Sequence, residues 1–277
     1  MERVVALTGG LSPITVIRCA LGTAVLLALA YSARQGLPRD RATWGHLIVA
    51  AFFCNALPFF LFGIGEQTVD SSVAGVLNAT TPLWSLLIGL ALGTERGIRP
   101  LRLAGLLLGF AGTLLIFAPW QRSGLTSWGA LVLLGAAASY AVAFAYMARH
   151  LTGRDTAPLA LSAAQLLAAT GLTTLALPTA PAAPGVPTLT AVTAVVILGT
   201  LGTGVTFHLN YRLLDDEGPT TTATVGYLLP VVSVTLGAIV LGEQLSSRVL
   251  AGMVIVLIGV VMTRGRERGP ARRVRTA

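Results

Sequence analysis

Apolar runs of membrane-spanning length recur along the whole chain, with arginine-bearing segments between them. Each run has roughly 17–25 residues, the length an α-helix needs to cross a bilayer core of about 30 Å. Hydrophobic residues make up 54 % of the chain and charged residues only 11 %, whereas soluble domains carry about 25 % charged residues. The pattern predicts an all-α polytopic membrane protein with little sequence left for a soluble domain.

Glycine, proline and charged residues divide these runs into nine predicted transmembrane helices, α1 to α9. Their approximate limits are residues 14–31, 44–64, 71–93, 100–118, 128–149, 158–177, 189–214, 220–241 and 248–263. The uncharged segment Pro178–Pro187 is predicted to be a linker, because prolines disrupt helices. The arginine-rich tail 264–277 is predicted to be disordered.

All nineteen basic residues are arginines, and they are distributed unevenly between the two sides that successive helices define. Fifteen fall on the side of the C-terminal tail, three on the opposite side, and Arg18 lies within α1. Because cytoplasmic loops of membrane proteins are enriched in basic residues, the arginine-rich side is predicted to be cytoplasmic. Topology thus explains the net charge of +8, and no nucleic-acid partner is expected.

One helix pair occurs twice, in residues 73–117 and 221–263. In each copy an apolar helix has a proline near its middle, a short charged segment follows, and a glycine-rich apolar helix completes the pair. Pro82 corresponds to Pro230, 148 residues later. This shift predicts that the whole fold is duplicated, with α6 to α9 corresponding to α1 to α4.

Five helices per repeat is an odd number, so the two copies must cross the membrane in opposite orientations. This inverted-repeat architecture is typical of many secondary transporters. The counterpart of α5 would precede Met1. The expected fold is therefore a 5+5 inverted-repeat, ten-helix fold lacking its first helix in this chain. The expected domains are a first repeat at 1–120, a second at 121–263 and a cytoplasmic tail at 264–277.

Several short motifs match a known family. Ser12-Pro13 followed by Arg18 resembles that family's entry to a membrane helix. Residues 241–245 (LGEQL) followed by 250–252 (LAG) are similar to the end of its repeat, although 93–96 (GTER) has one extra residue before the glutamate. On these motifs the chain resembles the EamA-type transporters of the drug/metabolite transporter superfamily. The resemblance implies a permease or exporter of small organic solutes in the bacterial inner membrane.

The two corresponding prolines lie about ten residues into α3 and α8, so roughly 15 Å from a helix end at 1.5 Å per residue. Each removes the partner of the carbonyl one turn earlier, here Asn78 and Gly226. Paired interruptions at corresponding positions indicate a transporter site near the membrane midplane. The alternative interpretation is a pair of tolerated kinks, because proline is common in membrane helices.

Polar side chains near these prolines and on neighbouring helices should face the protein interior, because lipid offers no hydrogen bonds. The predicted substrate-binding residues are Asn55, Asn78, Thr81, Pro82, Tyr140, His208, Asn210, Tyr227 and Pro230. The competing interpretation is interhelical hydrogen bonding. Arg18 is predicted to contact an anion or to form a structural pair, and His208 is a candidate proton relay. The expected site lies between α3 and α8 and is lined by α2, α5 and α7.

Three functional classes fit a polytopic helical protein. The inverted repeat favours a secondary transporter that works by alternating access. An intramembrane enzyme would need HExxH, GxSxG or a mid-membrane carboxylate pair, and the sequence contains none of them. A non-transporting scaffold or degenerate transporter fragment is the alternative. Expected partners are the lipid bilayer, a small-molecule solute and a proton or other coupling ion; no metal and no cofactor are expected, and the oligomeric state stays open.

Overall fold

The computed structural model describes residues 13–93, 99–153, 156–176, 189–241 and 244–263. All nine predicted helices appear in these ranges. Eight have the length and apolarity to cross a membrane, and the ninth, α9, is an apolar helix of 17 residues. The prediction of an all-α, multi-pass protein is confirmed. The predicted linker and the predicted disordered tail lie outside the described residues.

The helices begin and end within a few residues of the predicted limits. They are α1, Pro13–Ser32; α2, Arg41–Gly65; α3, Ser71–Ala91; α4, Pro100–Phe117; α5, Trp128–His150; α6, Pro158–Leu175; α7, the consecutive Leu189–Gly199, Thr200–Val205 and Thr206–Glu217; α8, the consecutive Pro219–Thr224, Val225–Tyr227 and Leu228–Leu241; and α9, Ser247–Thr263. Proline is the first residue of α1, α4, α6 and α8. At this position its fixed φ suits a helix and its missing N–H has no helical partner to lose.

The two helices that carry the corresponding prolines, α3 and α8, are interrupted where Pro82 and Pro230 predict it. In α3 the segments Ser71–Asn78 and Thr81–Ala91 are joined by a turn, and α8 contains a 3₁₀ turn at Val225–Tyr227. The Asn78 carbonyl, which Pro82 deprives of its backbone partner, accepts a hydrogen bond of 2.7 Å from the Thr81 hydroxyl. A side chain therefore replaces the backbone bond that the proline removes.

A second pair of interruptions was not predicted. One turn of α2, Phe52–Ala56, and one turn of α7, Thr200–Val205, are π-helical. Their first residues are 148 apart, the same shift that relates the prolines. Isolated π turns widen a helix locally and are frequent at functional sites. The duplication thus extends to these backbone irregularities, of which the one in α2 is followed by Pro58 and the one in α7 by no nearby proline.

Helices α4 and α9, which correspond in the two repeats, pack against each other through glycines. We call this contact the glycine seam; it includes Gly105, Gly112, Gly252 and Gly259. A Cβ on Gly105 would lie 2.7 Å from the Gly259 carbonyl oxygen, and one on Gly112 would lie 2.7 Å from the Gly252 carbonyl oxygen. Only glycine permits so close an approach of two backbones. Gly105, near the start of α4, meets Gly259 near the end of α9, and Gly112, later in α4, meets Gly252, earlier in α9. The two helices therefore run antiparallel, as corresponding helices of inverted repeats do.

The interior of the bundle is formed around α5, which packs against α2 and α3. Its side chains Leu133, Ala137 and Met147 are almost completely buried. Large apolar side chains on the outside, such as Leu201 and Val261, are exposed. This distribution is expected of a protein whose outer surface contacts lipid tails, since apolar side chains need no burial there.

Candidate functional site

A cavity of about 340 Å³ lies at the interruptions of α3 and α8. Small-molecule pockets in proteins usually span about 300–1,000 Å³, so the cavity can hold a small organic solute. The residues that line it are Gly75, Asn78, Ala79, Thr81, Pro82, Phe117, Tyr140, Phe144, Thr206, Asn210, Thr222, Ala223, Val225, Gly226, Leu229, Pro230 and Ser233. They come from α3, α4, α5, α7 and α8. Helix α2, which was expected to line the site, contributes none of them, and Phe117 of α4 does so instead.

The local sequence explains why α3 and α8 present polar groups here. Thr80 and Thr81 donate their hydroxyls to the carbonyls of Leu77 and Asn78, at 2.6 and 2.7 Å. These bonds hold the turn that separates the two segments of α3. The turn brings Asn78 to the lining of the cavity, and its Oδ1 is shielded from solvent and is reached by no described donor. A buried amide oxygen without a partner is rare and is therefore a candidate acceptor for a ligand.

The described lining carries no formal charge. Its polar groups are amides and hydroxyls, and Tyr140 is its one ionisable side chain. Its apolar part includes the aromatic rings of Phe117 and Phe144. Such a mixture of apolar wall and a few polar groups is typical of small-molecule sites. A cation or anion bound here would meet no opposite charge among these residues.

The structure brings six of the predicted site residues together around the cavity, and these are Asn78, Thr81, Pro82, Tyr140, Asn210 and Pro230. The other predicted residues, Asn55, His208, Tyr227 and Arg18, are absent from the lining. His208 is partly buried, and its Nδ1 has no hydrogen-bond partner among the described residues.

Tyr227 lies behind the cavity and not in its wall. Its side chain is fully buried, and its ring lies against Gly109 of α4, where a Cβ would be 2.7 Å from the ring atom Cδ2. Its hydroxyl has no hydrogen-bond partner in the described part of the protein. Tyr227 therefore fills the space between α8 and α4.

Asn55 and Arg18 make contacts between helices. Asn55 is completely buried and accepts a hydrogen bond of 3.3 Å from Gln165 Nε2. Arg18 Nε donates to Thr203 Oγ1 at 3.2 Å, and its guanidinium lies 4.9 Å from the centre of the Phe59 ring. The geometry agrees with the interhelical-bond interpretation of Asn55 and the structural-pair interpretation of Arg18.

Sequence reasoning did not identify several lining residues. Thr206 precedes Asn210 by four residues, Thr222 precedes Gly226 by four, and Ser233 follows Pro230 by three. Side chains three or four residues apart lie on the same face of a helix. Stepping one turn from each identified residue would have found this set. Phe117 and Phe144 have no comparable signal, because apolar residues occupy most positions of their helices.

Fold and cavity together define the class: an all-helical, multi-pass membrane protein built as two repeats, with a solute-sized cavity between corresponding broken helices. The chain belongs to the EamA-like transporter family, whose model matches residues 5–118 and 127–265. The predicted resemblance to EamA-type transporters is thereby confirmed, and the family is one of transporters and not of enzymes.

Individual relatives agree with this assignment. The chain is 30 % identical over 213 residues to the "Uncharacterized inner membrane transporter YedA" of Escherichia coli strain K12, covering 76 % of this chain and 67 % of that protein. The same protein of E. coli O157:H7 matches equally well. A solved chain titled "Crystal structure of protein" superimposes with a TM-score of 0.73 at 23 % identity, over 92 % of this chain and 90 % of that one. This last likeness concerns the fold.

Proposed function

We propose that the protein is a secondary transporter that moves a small organic solute across the cytoplasmic membrane by alternating access, and that the cavity is its binding site. The observation that carries the proposal is the position of the cavity between two interrupted helices that correspond in an inverted repeat. Transporters with inverted repeats bind their substrates at such interruptions. The unpartnered Oδ1 of Asn78 supports it, because a bound solute would supply the missing donor.

The uncharged lining indicates the kind of solute. Bringing an unpaired charge to the middle of a membrane protein is costly, whichever scale is used. A solute of no net charge, including one whose own charges compensate each other, avoids this cost. It would donate a hydrogen bond to Asn78 and place an apolar part against Phe117 and Phe144.

The test begins with an overexpressing strain grown on a panel of toxic metabolites and amino acids. A solute against which the strain gains or loses tolerance is then measured as flux into proteoliposomes. We expect Asn78→Ala to lower that flux about tenfold, the effect of losing roughly one hydrogen bond to a buried partner. Thr235→Ala is the control, because its hydroxyl donates to the Val231 carbonyl and the residue does not line the cavity.

Two outcomes would contradict the proposal. Flux that Asn78→Ala leaves at the wild-type rate would remove the cavity as the binding site. Flux that stops on ATP depletion while ion gradients are maintained would exclude a secondary transporter. If no solute of the panel is moved by purified, folded protein, the alternative of a non-transporting scaffold is favoured.

We further propose that the C-terminus faces the cytoplasm and that the repeats divide near residue 120. The distribution of arginines supports the orientation. A reporter that fluoresces only in the cytoplasm should be fluorescent when it is fused after Ala277. If that fusion is dark and a fusion in a loop predicted to be external is fluorescent, the proposed orientation is reversed. A proton or other coupling ion stays a prediction, with His208 as its candidate relay.

A further inference from the structure

Two hydrogen bonds between the repeats are copies of each other. Arg18 Nε donates to Thr203 Oγ1 at 3.2 Å, and Gln165 Nε2 donates to Asn55 Oδ1 at 3.3 Å. Gln165 lies 147 residues after Arg18, and Thr203 lies 148 residues after Asn55, so donors and acceptors occupy corresponding positions. The same contact therefore forms twice, once from α1 to α7 and once from α6 to α2.

Both acceptors lie in the π turns. Asn55 belongs to Phe52–Ala56 and Thr203 belongs to Thr200–Val205. The Thr203 hydroxyl also donates to the Leu198 carbonyl at 3.0 Å, which leaves its lone pairs free to accept from Arg18. A π turn interrupts the regular backbone hydrogen bonds of a helix, so the helix bends more readily there than elsewhere. Each interrepeat bond thus ends at the point where its helix can bend.

A third contact marks the centre between them. The hydroxyls of Thr23 and Thr170 lie 3.0 Å apart, and the two residues are themselves 147 positions apart. A residue that touches its own counterpart lies on the axis that relates the repeats. Arg18 and Gln165 each precede their threonine by five residues, about 7.5 Å along a helix. Since α1 and α6 run in opposite directions, one bond lies on each side of the axis, about 15 Å from the other.

We propose that these two hydrogen bonds are paired latches, which close the cavity towards opposite faces of the membrane. Both hydrogen bonds are formed in this structure. Opening towards the face where α1 begins would break the Arg18–Thr203 latch and bend α7 at its π turn. Opening towards the other face would break the Gln165–Asn55 latch and bend α2. The inference rests on the proposed alternating access. It names the residues that control opening towards each face of the membrane.

The latches differ in how easily they open. Gln165 and Asn55 are completely buried, and Gln165 Oε1 also accepts a hydrogen bond from the Tyr211 hydroxyl. Breaking this latch leaves buried amides without partners. Arg18 is only half-buried, so water can replace its bond to Thr203. The protein opens more readily at the Arg18 latch, which the arginine distribution places on the external side.

The experiment uses accessibility and needs no known substrate. Cys19 and Cys54 are replaced by alanine, and Thr222→Cys places a reporter thiol in the wall of the cavity, where the native side chain is only 3 % exposed. A membrane-impermeant methanethiosulfonate is added to right-side-out and to inside-out vesicles, and the rates of labelling are compared. Thr203→Val removes one latch and Gln165→Leu removes the other. Thr203→Ser, which keeps the hydroxyl, checks that loss of the hydrogen bond and not of folding is responsible.

We expect Thr203→Val to raise the ratio of external to internal labelling about fivefold, the effect of losing one hydrogen bond. Gln165→Leu should lower the same ratio by a similar factor, and Thr203→Ser should restore the starting ratio. Shifts in the same direction, or no shift in either variant, would overturn the proposal. Opposite shifts in labelling without any solute flux would contradict the proposed transport function but support the latches. Solute flux without opposite shifts would support the transport function and contradict the latches.

Discussion

The segments that follow the interruptions, Thr81–Ala91 of α3 and Leu228–Leu241 of α8, correspond residue by residue, yet their surroundings differ. Thr81 is 7 % exposed and its counterpart Leu229 is 62 % exposed. Ser85 is buried and bonded to Thr220, whereas Ser233 is exposed. The cause is α5, which packs over the second segment of α3. In the described part of the chain the corresponding segment of α8, Leu228–Leu241, has no comparable packing against α5, which contacts α8 at Pro219–Thr224 instead. Corresponding positions therefore tolerate different side chains.

The largest effect should come from the glycine contacts between α4 and α9, where the repeats are equivalent in packing as well as in sequence. A Cβ on Gly112 would lie 2.7 Å from the Gly252 carbonyl oxygen, and one on Gly259 would lie 2.5 Å from the Gly109 nitrogen. Neither backbone can yield without separating α4 from α9. We expect Gly112→Ala and Gly259→Ala each to cost more than about 3 kcal/mol and to abolish the folded protein.

Fluorescence-detected size-exclusion of the detergent-solubilised protein measures the folded yield. Gly171→Ala on α6 is the matched control, because nothing lies within 4 Å of the added methyl group. A normal yield for one of the two seam variants and loss for the other would show that the halves are not equivalent there.

The next effect tests the difference between α3 and α8 directly. Ser85→Leu places a large side chain in a closed space beside Thr220 and should destabilise the protein by about 1–3 kcal/mol. Ser233→Leu, the same change at the corresponding exposed position, should leave stability nearly unchanged. Thermal unfolding of the two variants in detergent gives the comparison. Equal losses would mean that the face of α8 is covered as the face of α3 is.

The smallest effect is the difference in stability expected between variants of two buried tyrosines. Tyr211 packs near α5, and Tyr227 lies at the interruption of α8. The Tyr211 hydroxyl donates to Gln165, whereas the Tyr227 hydroxyl has no partner in the described part of the chain. Tyr211→Phe should cost about 1 kcal/mol, and Tyr227→Phe should cost nothing or stabilise slightly. Denaturant unfolding of both variants checks this. A larger loss for Tyr227→Phe would reveal a hydrogen bond that the structure does not show.

The sequence predicted the parts of the fold that depend on local signals. Apolar length predicted the helices, and Pro82 and Pro230 predicted where two of them are interrupted. The π turns were missed although Pro58 follows Phe52–Ala56 by two residues and removes the backbone partner of the Cys54 carbonyl. Thr200–Val205 has no such proline and reads as an ordinary small-residue stretch. Their presence depends on packing between distant segments, which local propensity does not report.

The same limit applies to the candidate site. Asn78 and Asn210 were recognised because an amide in an apolar helix is conspicuous. The sequence did not distinguish them from Asn55, which faces Gln165 across 110 residues of chain. Which amide faces a cavity and which faces a partner is decided by helix rotation and neighbours, and neither is encoded in a single helix.

The glycine seam has a consequence for how such a protein can be divided. Gly105 meets Gly259 while their counterparts, Gly252 and Gly112, meet each other. The surface is therefore isologous: each repeat presents the patch that its inverted copy requires. Two identical single repeats inserted in opposite orientations would satisfy the seam as well as the two halves of this chain do. The covalent connection between the halves supplies their proximity and their opposed insertion, while the complementarity resides within each repeat.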